Sequence, residues 1–380
     1  MATLNYKCPH CGGPLQFNPE NQKFTCEYCF SSFTDTEVQQ MYSEREQQQT
    51  RDEREVEQAE QKKAQAAQQG EDYGDDYPVS YSCPSCGAEI ITTASTAATH
   101  CVYCHNPVVL GGRLSGEFKP DSVIPFAIDK DKAVDVFMNM CKRKRFLPKG
   151  FTSSRQFEKM QGVYFPYWYV DEQMRSSLVA IGEKERSWTS GDQEYTETST
   201  YHLFRTGDIM IKNVAENALK ITEENSEKSE IKVTRKTKQE MLSCVHPFDL
   251  SKQKPFSMSY LSGFQAEKRD IEKQELTNVI AQRMDDYAQT LLKDTMKGYS
   301  RISVENYNDQ TFNQDWRYTL LPVWIVTYKF KGEIMPFAIN GQTGKTYGKL
   351  PIALGKVIGI SAIIAAAVFI LVTLGGMLFL

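Results

Sequence analysis

Apolar and polar positions alternate in distinct periods along this chain of 380 residues, and the periods predict its elements. Helical spacing predicts one helix from Lys130 to Arg145 and a longer one from Ala266 to Met296. In the longer one Ile271, Ile280, Met284 and Leu291 share a face. Runs of aromatic and β-branched residues predict strands over Phe165–Val170 and Leu321–Val326. Gln193 to Phe204 alternates, which predicts an antiparallel strand with one wet face, entered through the turn Ser190, Gly191, Asp192. Val323–Phe330 and Ile334–Ile339 predict a hairpin across Lys331, Gly332 and Glu333, and Asn340 to Gly344 supplies the next turn.

The soluble part over 117–350 carries an internal repeat. Val123-Ile-Pro-Phe126 matches Val245-His-Pro-Phe248, and Phe165-Pro-Tyr-Trp168 matches Leu321-Pro-Val-Trp324. Each match is followed by the same order of turn, helix and aromatic strand, so a duplicated α+β unit is expected. Upstream, residues 35–80 are rich in Glu, Gln, Arg and Ala with no apolar stripe, which predicts an exposed helix or a disordered linker. Thr34 and Glu37 have capping-box spacing at its start.

The tail has a different pattern. Val357 to Leu380 holds no charge, and at about 1.5 Å per residue it reaches about 36 Å. It is expected to be a single C-terminal transmembrane helix. Lys345, Lys349 and Lys356 on its N-terminal side orient everything before it toward the cytoplasm. The expected location is the cell membrane, single-pass, with no secretory signal at the other end.

Cysteine spacing adds the chemistry. Cys8, Cys11, Cys26 and Cys29 form one cluster, and Cys83, Cys86, Cys101 and Cys104 repeat its spacing. Four thiolates in two close pairs make a closed cage for a soft divalent ion, so two structural zinc ions are expected, in ribbons spanning 1–34 and 81–112. Pro9 and Pro84 fix backbone angles in the knuckles, and Gly12 and Gly87 permit a left-handed turn. Disulfides and a redox Cys-x-x-Cys are the weaker readings. The remaining thiols, Cys141 and Cys244, read as buried and inert. The formal charge of −4 becomes about −8 when eight thiolates and two divalent ions are counted, so nothing steers the chain toward nucleic acid in general.

Catalytic patterns are missing. Gly341 to Thr346 looks like a phosphate loop, but the glycines are too close together and position 339 is Ile. His10, His100 and His105 lie in or beside complete cysteine sets, and His202 and His246 have no nucleophile or carboxylate at catalytic spacing. The basic cluster Lys142 to Arg145 complements a helix C-terminus.

The tandem ribbons, GVYFPYWYVD over 162–171, SWTSGDQEYTET, VHPFDLSKQKPFSMSYLSGF over 245–264 and LPVWIVTYKFKGEIMPFAINGQTGK over 321–345 resemble a bacterial membrane-anchored zinc-ribbon family of the transcription-factor-IIB type. Some members are labelled primosomal replication-restart helicases; this chain has neither a Walker A loop nor a helicase core. The resemblance implies a zinc-ribbon front end, a membrane tail and no particular activity. The expected protein is multidomain α+β: two zinc ribbons, a charged linker, a duplicated α+β domain and a transmembrane helix over 357–380. Its expected role is a membrane-tethered adaptor or scaffold for a protein partner, without catalysis. The alternatives are a tethered nucleic-acid-binding protein and an enzyme with its site in 117–350.

Overall fold

The computed structural model describes residues 6–42, most of 79–148, 151, 160–219, 245–330, 333–348 and 350–378. The first cysteine cluster rides on a three-stranded antiparallel sheet of β1 (Leu15–Asn18), β2 (Lys23–Cys26) and β3 (Ser32–Phe33). Alternation buries Leu15 and Phe17 of β1 and Phe24 and Cys26 of β2. The helix α1 (35–42) starts at the predicted capping box: Thr34 donates to Glu37 Oε2 from its N–H at 2.7 Å and its Oγ1 at 2.8 Å. The rest of the expected charged linker, 43–78, lies outside the described residues. The second cluster is built on β4 (Val79–Ser82) paired with β5 (Glu89–Thr92), then β6 (Thr96–His100) paired with β7 (Pro107–Val109).

A strand–helix–strand–strand order then occurs twice. The first copy is β8 (Ser122–Val123), α2 (Lys130–Lys142), β9 (Gln161–Ser190) and β10 (Gln193–Asn217). After β11 (Lys254–Pro255), the second is β12 (Gln265–Glu267), α3 (Lys273–Asp294), β13 (Arg301–Phe330) and β14 (Glu333–Asn340), with β15 (Thr346–Gly348) beside it. The long strands β9 and β13 lie antiparallel at the centre, with Phe165 opposite Leu321. Each short strand runs parallel to the other copy's long strand: β8 along Thr319–Leu320, β12 along Val163–Tyr164.

Equivalent hydrogen bonds recur in the two strand–helix–strand–strand segments. Trp168 Nε1 donates to Ile271 O at 3.0 Å, and Trp324 Nε1 donates to Ile128 O at 2.8 Å. The Ala218 N–H donates to Pro166 O, and the Gly341 N–H to Pro322 O. Asp270 and Ile271 donate to Ala218 O as Ala127 and Ile128 do to Gly341 O. Each Trp therefore ties its strand to the residues before the other copy's helix, which interlocks the halves. This is why the Pro-x-Trp pairs stood out in the sequence. The match of Val123–Phe126 to Val245–Phe248 is corrected, because the counterpart of Ser122–Val123 is Gln265–Ala266. The segment 245–248 is instead held by Asn340, whose Nδ2 donates to Val245 O at 2.8 Å and Pro247 O at 3.1 Å.

One face of the sheet packs on α2, α3 and the first ribbon through Phe137, Tyr164, Trp168, Ile280 and Met284. The other face gathers Val163, Phe165, Tyr167, Tyr169 and Val323 under Val245 and Phe248. Each of β9 and β13 is 30 residues long, about 100 Å as a strand. Beyond the core, β10, β9 and β13 continue as a three-stranded arm, and Leu292 and Met296 cover its base at Leu178, Ala180 and Leu203. Toward the tip both faces are exposed, so the expected single wet face of Gln193–Phe204 is corrected.

Two larger expectations are also corrected. The α+β balance gives way to a mostly β chain, because strands of 30 residues dominate it. In the tail, α4 (Leu354–Leu378) forms, but no helix among the described residues is long and apolar enough to cross a membrane. Lys356 in its first turn folds back and donates to Leu147 O at 2.6 Å. The expected span is overturned by that absence, among the described residues, of a helix with the length and apolarity to cross. The transmembrane helix, the membrane as a partner and the single-pass membrane location facing the cytoplasm are withdrawn on this finding.

Candidate metal centres

Both cysteine sets come together as the spacing predicts. Cys8, Cys11, Cys26 and Cys29 place their sulfurs within 4.8 Å of one another, and so do Cys83, Cys86, Cys101 and Cys104. The Cys8–Cys29 and Cys11–Cys26 separations are 3.5 and 3.4 Å. The Cys83–Cys104 and Cys86–Cys101 separations are both 3.7 Å. A disulfide needs about 2.05 Å, so the thiols are free. A tetrahedron with metal–sulfur bonds of about 2.3 Å has edges of about 3.8 Å, close to what is seen. Each set could hold one metal ion.

The four knuckles share one backbone design. The first cysteine's N–H bonds the carbonyl five residues on: Cys8 to Gly13, Cys26 to Ser31, Cys83 to Ala88 and Cys101 to Asn106. The second cysteine's sulfur then receives the N–H two residues on, from Gly13, Ser31, Ala88 or Asn106. Gly12 takes φ +77°, as expected of a knuckle glycine, and Phe30 takes the same left-handed region at φ +58° in the second knuckle. Gly87 lies outside the described residues.

The sulfurs compete for charge. The Gly13 N–H favours the Cys11 thiolate, but the thiols of Cys29 and Cys26 push it up to about 12. The Ser31 hydroxyl and N–H hold Cys29 near about 6. Four thiolates at these separations repel one another, and a divalent cation among them removes the conflict. The donor set therefore fits a soft divalent ion.

Neither centre is a separate module, which the spacing did not reveal. Phe17 and Phe24 of the first ribbon pack on Tyr260, with ring centroids 5.2 and 5.9 Å apart. Ser262 accepts the Phe17 N–H at 3.1 Å and donates its hydroxyl to Leu15 O at 2.5 Å. Tyr260 donates to Asp35 Oδ2 at 2.9 Å. The second ribbon joins the main sheet directly, with Ala98 of β6 opposite Ala266 of β12.

The other candidate residues find plainer places. His10 Nδ1 lies 2.8 Å from Ser31 Oγ, and His202 pairs loosely with Glu305 at 3.8 Å on the exposed arm. Cys141 is buried in α2, and burial pushes its thiol up to about 11. Cys244 and His105 fall outside the described residues. Asn340 Oδ1 caps the Gln342 and Thr343 N–H groups at 2.8 Å, so the glycine-rich segment 341–344 is a turn.

Fold and centres together define a class: a mostly β protein in which two four-cysteine ribbons are built onto an interlocked, duplicated sheet. The chain belongs to the family of Bacillus subtilis (strain 168) "Uncharacterized protein YdjG", to which it is 31% identical over 367 residues, covering 97% of this chain and 96% of that protein. No family model matches the chain, and no solved structure does.

Proposed function

We propose that this protein is a zinc-stabilised scaffold that binds a protein partner and carries out no catalysis. The observation that carries the reading is the closed geometry of both centres. Four sulfurs within 4.8 Å, with N–H groups on the second sulfur of every knuckle, leave no coordination position for a substrate. Zinc is the soft divalent ion that prefers four thiolates in a tetrahedron and brings no redox chemistry. Its role here is to hold small loops that lack a core of their own.

The partner-binding element is the three-stranded arm. Over 193–211 and 301–316 its outer strands pair only with β9 among the described residues, so both edges present unpaired backbone groups. Trp188, Tyr195 and Phe204 are exposed on it, with Trp188 and Tyr195 stacked at 5.9 Å. Open edges flanked by aromatic side chains suit a partner strand.

A nuclease-treated affinity purification tests the reading by comparing wild type with Trp188→Ser/Tyr195→Ser. A protein that co-purifies with wild type and is lost with the variant is the expected result. Recovery of nucleic acid alone, weakening steeply with salt, refutes it. So does turnover of a nucleotide or ester that a point change in 117–350 abolishes.

A further inference from the structure

We propose that the cleft between the β9–β10 ladder and the segment 245–250 binds an uncharged, planar molecule that presents a hydrogen-bond acceptor. The cleft has a volume of about 710 Å³ and is lined by Tyr167, Tyr169, Asn217, His246, Phe248 and Tyr287, among others. That size is usual for a small-molecule site. Two side-chain nitrogens in its wall, Asn217 Nδ2 and His246 Nε2, are buried and have no hydrogen-bond partner. Buried polar atoms are nearly always satisfied, and one left unsatisfied is costly.

The duplication shows what the fold itself requires of this asparagine. Asn217 and Asn340 are equivalent: they end β10 and β14 opposite Tyr167 and Val323. Both use Oδ1 to cap the N–H two residues on, Leu219 or Gln342, each at 2.8 Å. Asn340 uses Nδ2 as well, on two carbonyls of 245–247. Asn217 is 9% exposed and its Oδ1 is fixed by Leu219; its amide lies beside the Tyr167 hydroxyl without a close hydrogen bond to it, so amide and hydroxyl together face whatever enters the cleft.

Around this position the copies have diverged in one direction. Tyr167, Tyr169 and Glu216 stand where the second copy has Val323, Ile325 and Ile339. The charges at the cleft are balanced: Glu216 pairs with Arg283 at 2.7 Å. His246 is held neutral, its pKa lowered to about 4 by burial and by nearby Lys345. Lys212 and Arg283 of the lining are matched by Glu216 and Asp249, and neutral His246 offers an entering ion no counter-charge of its own. Rings surround His246 edge-on, Tyr167 at 5.0 Å, Phe248 at 5.2 Å and Tyr169 at 6.4 Å, which suits a flat guest.

The test uses three probes of one shape, benzamide, benzoate and benzylamine, with ligand-observed saturation-transfer NMR on the full chain. A fragment of this size that fits should show a Kd on the order of 1 mM. Benzamide is expected to bind, with the anion and the cation at least about tenfold weaker, roughly 1.4 kcal/mol. Asn217→Asp keeps the oxygen that caps Leu219 and replaces the donor, and should weaken benzamide about tenfold or more. His246→Phe keeps a ring in the wall and removes Nε2, and should do the same if the first variant fails to fold. No transfer to benzamide, equal binding of all three probes, or wild-type affinity in a folded variant overturns the proposal.

Discussion

If the first metal centre is part of the main core, loosening the core should loosen the metal. Tyr260→Ala is the perturbation that separates the two possibilities. The Tyr260 ring is fully buried, touches Phe17 and Phe24, and has Lys254 Nζ 5.8 Å above it. Truncating a buried aromatic residue costs about 3–5 kcal/mol. Each lost ring pair accounts for about 0.5–1.5 kcal/mol of that. The change also strips one of two donors from Asp35 Oδ2, leaving Gln39 Nε2 at 3.1 Å, while the other carboxylate oxygen is already buried without a partner. If most of the cost falls on docking, the undocked ribbon becomes about 100-fold more populated or more, since about 1.4 kcal/mol is a factor of ten. The assay is zinc release to a chromophoric chelator in a Cys83→Ser background, where only the first centre holds metal. Release should accelerate by a similar factor, and Tyr260→Phe should give a smaller effect from the lost hydrogen bond. A double-mutant cycle with Phe17→Ala should show coupling of about 1 kcal/mol. Unchanged release in folded Tyr260→Ala would falsify the docking argument.

Metal analysis of protein prepared without added zinc should give about two zinc ions per chain, and about one for Cys83→Ser, with new protease cleavage confined to 79–110; fewer than two in wild type rejects the paired centres. Asn340→Ala should lower stability in urea unfolding by about 2–4 kcal/mol, because it strands two carbonyls and two N–H groups, while Asn217→Ala loses only the Leu219 cap and should cost about 1 kcal/mol; equal costs contradict the assigned roles. His246 is depressed from an ordinary value near 6.5 to about 4, so the unfolded chain takes up its proton first as pH falls. Stability should be full above about pH 6.5 and decline by about 2–3 kcal/mol toward pH 4, and His246→Gln should flatten that part of the profile.

The sequence exposed what depends on local chemistry and concealed what depends on surfaces. Cysteine spacing located both centres because a four-thiolate cage tolerates few separations along the chain. Pro166 with Trp168, and Pro322 with Trp324, betrayed the duplication because both residues make bonds the fold needs twice. The start of α2 at Lys130 is legible, but the expected start of the longer helix at Ala266 is corrected to Lys273, because 265–267 pair as β12, and the expected repeat ran through Val245–Phe248, whose proline and phenylalanine mimic the earlier segment. The true counterpart, Gln265–Ala266, shares no residue type with Ser122–Val123, since two-residue parallel pairings rest on backbone alone. The arm was underestimated for a related reason. Strands exposed on both faces lose the alternation that marks a half-buried strand, so 30 residues read as several shorter pieces. Tyr260 and Ser262 gave no signal, because nothing local distinguishes a residue that docks a distant ribbon.

The duplicated sheet also explains why two ribbons of identical cysteine spacing are held in different ways. The short strands β8 and β12 are equivalent, and each needs an antiparallel neighbour on its outer side. β12 receives β6 of the second ribbon. β8 receives β11, and the chain then turns through Met258–Leu261 into the residues that hold the first ribbon. Each ribbon thus sits beside one of two equivalent edges, one by strand pairing and the other through Tyr260 and Ser262. Strand pairing fixes the second ribbon through backbone bonds that no single side chain controls. The first depends on a few side chains and should be the centre that opens first. In native-state hydrogen exchange, the amides of Phe17 and Phe24 should therefore exchange faster than those of Ala98 and Thr99. The opposite order would mean that the ribbon's own three-stranded sheet, and not its docking, sets its stability.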